Sequence, residues 1–130
     1  MLRQCALENP AFKKLLDIWL DRDDRVSAFR ADGGKVVGCL GCDVPEEYLL
    51  AGGLLPLRIA PDPESDLSAA DEVLEACFDP MVRSQFDRIL RRDGPKPWDY
   101  LAVSNSTDVL VRLYLYIREL RRTEPETPGA

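Results

Sequence analysis

The chain contains no histidine. That single absence removes the Ser–His and Cys–His pairs on which most side-chain nucleophiles depend. It also has neither a G-x-G-x-x-G stretch nor a Walker-type loop, so nucleotide binding of those two kinds has no support. No apolar run approaches the roughly 18 residues that a membrane span requires. The N-terminus lacks the basic-then-apolar order of a secretion signal. Basic residues are in deficit, 17 against 23 acidic ones for a net charge of −6, so no basic face dominates for a nucleic acid to bind. The 4 cysteines, without a secretion signal, read as cytosolic thiols or metal ligands rather than a disulfide framework. A cytoplasmic protein with neither membrane nor nucleic-acid partner is the expectation.

What is present is organised around residues 35–59, KVVGCLGCDVPEEYLLAGGLLPLRI. Val36 to Leu40 is too short for a globular helix and β-branched enough for a buried strand. The run breaks at Gly41-Cys42-Asp43, and Pro45-Glu46-Glu47 suits the first turn of a helix. Proline loses no hydrogen bond there, and acids complement the helix dipole. Gly52-Gly53 stops that helix, and Leu54 to Ile59 reads as a second buried strand. Strand, short helix, strand is a βαβ unit, because at least ten residues between the strands suit a crossover better than a tight turn.

At 130 residues one domain is expected, over 1–122, with the polar, proline-rich stretch 123–130 as a disordered tail. Asn9-Pro10 predicts a capped helix reaching about Ala31, its packing face Phe12, Leu15, Leu16, Trp19, Val26 and Phe29. Gly33-Gly34 ends it. After an acidic loop at Pro61–Asp66, a short helix is predicted over 69–76, and another from Asp79-Pro80 to Gly94-Pro95. Arg88, Arg91 and Arg92 there complement the negative end of the helix dipole. Tyr100 to Ser104 is a third buried strand. Ser104 to Asp108 offers caps for a last helix, whose apolar residues Val109, Leu113, Tyr116, Ile117 and Leu120 share a face.

The alternation predicts an α/β fold: a three-layer, Rossmann-like or flavodoxin-like domain with a small parallel sheet and helices on both faces. A strand order of 2-1-3 puts the functional crevice at the carboxyl ends of the strands. Three segments reach that edge: Cys39 to Glu47, the region of Cys77, and Ser104 to Asp108. Cys39 and Cys42 have C-x-x-C spacing. They read as a redox pair, as two iron–sulfur ligands, or as one buried cysteine ending a strand and one in a turn.

The segment from Gly41 to Arg58, G-C-x-V-P-E-E-x-x-x-A-G-G-L-x-P-L-R, resembles the opening of the D-type subunits of the 2-hydroxyacyl-CoA dehydratase and benzoyl-CoA reductase family. Further family-like blocks follow at Glu75-Ala-Cys77 to Arg83-Ser84 and at Trp98 to Arg122. Members of that family are considerably longer, so this chain matches their N-terminal domain. The resemblance implies one-electron reduction of an acyl-CoA thioester by a [4Fe–4S] cluster. It also implies an ATP-dependent activator protein that supplies the electron, and a homologous subunit or the remainder of a longer chain that completes the site. It assigns Glu47 to the substrate pocket as a catalytic carboxylate and Cys77 to the cluster. It puts Thr107 where a second cluster cysteine stands, and a hydroxyl is a poor replacement for thiolate on iron. The expectation is therefore a catalytically incomplete domain that does not hold the cluster alone. Two rivals stand beside it: a non-catalytic relative serving assembly or ligand binding, and a small C-x-x-C thiol-redox protein.

Overall fold

A computed structural model of the chain describes residues 9–90 and 97–123. They form two compact units that divide between Gly34 and Lys35. The first holds α1 (Pro10–Leu20) and α2 (Arg22–Ala31). Asn9 caps α1 as the sequence predicts, its side-chain oxygen accepting from the N–H groups of Ala11 at 2.9 Å and Phe12 at 3.4 Å. The single helix predicted to Ala31 is interrupted, however, at Asp21, whose ψ of 0° ends the first segment. Asp23 and Asp24 then stand in the first turn of α2, where their charge favours a new helix start. Phe12, Leu15 and Trp19 of the predicted packing face are exposed. Gly34 closes the unit, donating to the carbonyl of Phe29.

The second unit contains β1 (Lys35–Leu40), α3 (Glu46–Ala51), β2 (Leu54–Arg58), α4 (Ser68–Asp71), α5 (Pro80–Leu90), β3 (Tyr100–Val103) and α6 (Asp108–Thr123). The three strands form a parallel sheet in the order β2-β1-β3. This is the predicted α/β class and strand order. β1 is central, and five of its six residues are buried. Gly38 lies opposite Leu57 on one side and Leu101 on the other. Asp99 fixes the amino end of the ladder: its carboxylate accepts from the Val36 N–H at 2.9 Å and from Lys35 at 3.1 Å. Val36, Leu40, Phe86, Ile89 and Leu113 form the most deeply buried part of the core.

The helices differ from prediction in detail. Pro45 caps α3 rather than opening it, and the helix predicted over 69–76 is only the four residues of α4. α5 starts at Pro80 as predicted, with the Asp79 carboxylate accepting from the Met81 N–H at 2.8 Å. Its predicted end, with Arg91, Arg92 and Gly94-Pro95, lies outside the described residues. Arg88 does more than complement a dipole, since it donates to the carbonyl of Ala60 at 2.7 Å. α6 buries Leu110, Leu113 and Ile117, and it includes Thr123. The predicted tail over 124–130 also lies outside the described residues.

Candidate functional site

The carboxyl ends of β1 and β2 meet the amino ends of α5 and α6 around a cleft of about 480 Å³. Cys39, Gly41 and Cys42 come from β1 and the turn after it, and Arg58, Ile59, Ala60 and Pro61 from β2 and its exit. Met81, Val82 and Gln85 come from α5, and Thr107 and Leu110 from the start of α6. Most of these groups are apolar, with Arg58, Gln85 and the Thr107 hydroxyl among the polar ones.

Each wall is held by bonds that follow from local sequence. The chain leaving β2 is pinned by Ser84, Gln85 and Arg88, which span little more than one turn of α5. Ser84, almost fully buried, accepts from the Asp62 N–H at 2.8 Å and donates to the Asp62 carbonyl at 3.0 Å. Gln85 donates to the carbonyl of Ile59 at 2.7 Å, and Arg88 to that of Ala60. Arg83 pairs with Asp71, fastening α4 to α5. The family-like Arg83-Ser84 block is thus a scaffold for the cleft wall.

The opposite wall depends on a close approach of two loops. Gly41 has φ +101°, and a Cβ there would stand 2.4 Å from the Cβ of Ser104. Only glycine combines that backbone angle with that contact. The loops are also hydrogen-bonded. The Ser104 hydroxyl donates to Ser106 at 2.8 Å, and the Ser106 hydroxyl donates to the Asp43 carboxylate at 3.2 Å. The Ser104 hydroxyl first, and that of Ser106 in support, hold the Asp43 carboxyl below the usual carboxylate range. Arg58 spans the rim: it pairs with Glu46 at 2.6 Å and donates to the carbonyl of Gly41 at 3.1 Å. Its side chain is 50% exposed, so this pair contributes little stability and serves position instead.

The predicted site residues divide into three places. Cys39, Cys42 and Thr107 share the cleft. Thr107 is the cap of α6, its hydroxyl oxygen accepting from the Leu110 N–H at 3.3 Å. Cys77 is exposed and lines a separate depression of about 240 Å³ with Phe78, Asp108, Val109 and Arg112. Its thiol approaches the Glu75 carboxylate at 3.5 Å. Glu47 is exposed on α3 and is not among the residues lining the cleft; its neighbour Glu46 is the one that meets Arg58.

A [4Fe–4S] cluster does not fit this arrangement. Among the described residues, no group of three or more His, Cys, Asp or Glu side chains is placed to hold a metal ion. Cys39 is only 2% exposed and donates its S–H to the carbonyl of Val37. Burial, and then the charge of Glu46, push its thiol above the ordinary value, away from the thiolate that iron or disulfide exchange requires. That favours Cys39 as a small apolar residue ending a strand. Arg58 and Met81 are cleft residues that the sequence reading did not single out. Arg58 closes the P-L-R segment and Met81 follows a helix cap, so strand ends gave the signal for the first and helix starts for the second.

No protein-family model and no curated protein matches the chain.

Proposed function

We propose that the chain is an acyl-CoA-binding domain of the 2-hydroxyacyl-CoA dehydratase and benzoyl-CoA reductase kind, providing one wall of a site that a homologous subunit or further domain completes. One observation carries this reading: residues from all three family-like blocks line one cleft, with Gly41, Cys42 and Arg58 from the first, Met81 and Val82 from the second, and Thr107 and Leu110 from the third. Ile59, Met81, Val82 and Leu110 offer an apolar wall for the acyl chain. The Thr107 hydroxyl at the start of α6 suits the thioester oxygen, and Arg58 at the rim suits a phosphate of the coenzyme. The reading is of a binding part. Cys77 lies in a different depression from Thr107, so the residues that would handle electrons are not gathered here. In this reading the cluster and the ATP-dependent activator act from outside the chain.

Calorimetric titration of the whole chain with butyryl-CoA, free CoA and butyrate tests it. Butyryl-CoA should bind more tightly than either part. Met81 is 58% exposed, so Met81→Glu should fold normally and weaken binding about tenfold, roughly the loss of one apolar contact. Glu47→Gln should bind as wild type. Failure of butyryl-CoA to bind at millimolar concentration, or affinity unmoved by Met81→Glu, would overturn the proposal.

A further inference from the structure

Arg58 supplies the positive charge at the rim of the main cleft, and most of its donors are already committed. Its Nε stands 2.6 Å from Glu46, one Nη donates to the Gly41 carbonyl at 3.1 Å, and the other faces the Cys42 carbonyl at 3.5 Å. A guanidinium carries five N–H groups, so with three taken two remain, enough for one phosphate. Acids surround that position. Glu46 touches the guanidinium itself, and Glu47 follows it, exposed on α3. Asp79 lines the cleft at the start of α5, and Asp43 follows Cys42, its carboxylate accepting from Ser106. The other described arginines of α5 and of the start of α6 are engaged elsewhere. Arg83 pairs with Asp71, Arg88 donates to the Ala60 carbonyl, and Arg112 lies with Asp108 in the depression beside Cys77.

Coenzyme A carries more charge than this arrangement accepts. Its 4′-phosphate opens a diphosphate bridge, and the adenosine beyond bears a 3′-phosphate of about −1.5 to −2. Like charges set against one another disfavour binding. The pantetheine stem is uncharged and carries two amides. Gln85 lines the cleft from α5, and its amide nitrogen donates to the Ile59 carbonyl at 2.7 Å, which leaves its Oε1 to accept from a stem N–H. We propose that the ligand of this cleft is an S-acyl-4′-phosphopantetheine, held by its acyl group, stem and single phosphate, with the nucleotide of coenzyme A adding nothing to affinity for this chain. This rests on the thioester-binding reading above and narrows it. An acyl chain on coenzyme A and one on the prosthetic arm of a carrier protein present the same chemistry to the cleft. Its volume of about 480 Å³ lies in the lower part of the roughly 300–1,000 Å³ typical of small-ligand sites, which suits the arm without the nucleotide.

Calorimetric titration of the whole chain with butyryl-CoA, butyryl-4′-phosphopantetheine, butyryl-pantetheine and adenosine 3′,5′-bisphosphate separates the parts. The first two should bind within about fivefold of each other, butyryl-pantetheine about tenfold more weakly, and the bisphosphate not at all at millimolar concentration. Arg58→Met should weaken both phosphorylated thioesters about tenfold and leave butyryl-pantetheine unchanged. Arg58→Lys keeps the charge and should recover most of that loss. Circular dichroism checks that both variants fold, and the wild-type titrations need neither. A butyrylated carrier protein that binds as the free arm does makes carrier-bound chains a source of the ligand; one that fails to bind, while both phosphorylated thioesters bind, leaves coenzyme A as the source. Three results would overturn the proposal: butyryl-CoA binding more than about fivefold tighter than butyryl-4′-phosphopantetheine, binding of the bisphosphate, or equal binding of the thioester with and without its 4′-phosphate. Each leaves the thioester-binding reading intact, whereas failure of every thioester to bind overturns both.

Discussion

Replacing Gly41 by alanine should be among the most damaging single-methyl changes in the second unit. Two costs combine. A φ of +101° is strained for any residue with a Cβ, at about 1–2 kcal/mol. The added methyl would also stand 2.4 Å from Ser104 Cβ and 3.1 Å from Leu110 Cδ1. Ser104 Cβ is fixed to its backbone and the Leu110 methyl is buried, so the loops must separate, at an overpacking cost of about 1–3 kcal/mol. The sum, about 2–5 kcal/mol, is a large part of the 5–15 kcal/mol typical of a domain. Gly53 supplies the control: its φ is +76° and a Cβ there meets nothing within 4 Å, so Gly53→Ala should show the backbone cost alone. Urea unfolding followed by tryptophan fluorescence measures both. Adding Ser104→Gly to Gly41→Ala removes the closest contact and should recover about half of the loss, a coupling that a double-mutant cycle reads out. If Gly41→Ala and Gly53→Ala cost the same within about 0.5 kcal/mol, the close approach of the two loops is not what requires glycine.

Three further outcomes are expected. Ser84→Ala should cost about 1–3 kcal/mol in urea unfolding, because it leaves the N–H of Asp62 without its side-chain partner, while the Asp62 carbonyl keeps the Ser65 hydroxyl at 2.9 Å. In a Cys5→Ser background, Cys42 and Cys77 should react with a thiol reagent at once. Cys39 should react slower by about a thousandfold, since access requires unfolding of the strand; equal rates for all three would contradict its burial. Asp43 has a depressed carboxyl, so its contribution is fully present above the unfolded value and is lost as pH falls through the lower folded value. The stability difference between wild type and Asp43→Asn should therefore shrink as pH is lowered from about 5 to about 2, and a difference that does not change with pH would contradict the assignment.

The strands and their order were legible because short apolar runs between Gly-Pro punctuation leave few alternatives: a chain that alternates strand and helix must cross over, and β1, buried almost throughout, must be central. The interruption at Asp21 was not legible, since neither glycine nor proline marks it and the residues on both sides favour helix. The edge carrying the cleft followed from topology, and Cys39, Cys42 and Thr107 are there. The direction of individual side chains did not follow. Glu46 and Glu47 are adjacent, yet successive helical residues point about 100° apart, so only Glu46 meets Arg58. Ser84 illustrates a different limit. The sequence marks its block, but its partners lie 22 residues back, and only the fold shows that the serine serves the wall.

The amino end of α6 gathers these points into one constraint. Thr107 opens into the main cleft and Asp108 into the depression beside Cys77, so two neighbouring residues serve different concavities on either side of one helix end. A thiol introduced by Thr107→Cys would join Cys39 and Cys42, one of which is buried and hydrogen-bonded as a thiol, and would remain apart from Cys77. It would also remove the hydroxyl that caps the Leu110 N–H. Introducing a single cysteine therefore leaves the thiols ungathered, because the separation is set by the position of the helix end and not by which side chain stands there. The same geometry suits binding. A cap hydroxyl, an arginine at the rim and apolar walls from two helices are already held in place by α5 and the Gly41–Ser104 contact.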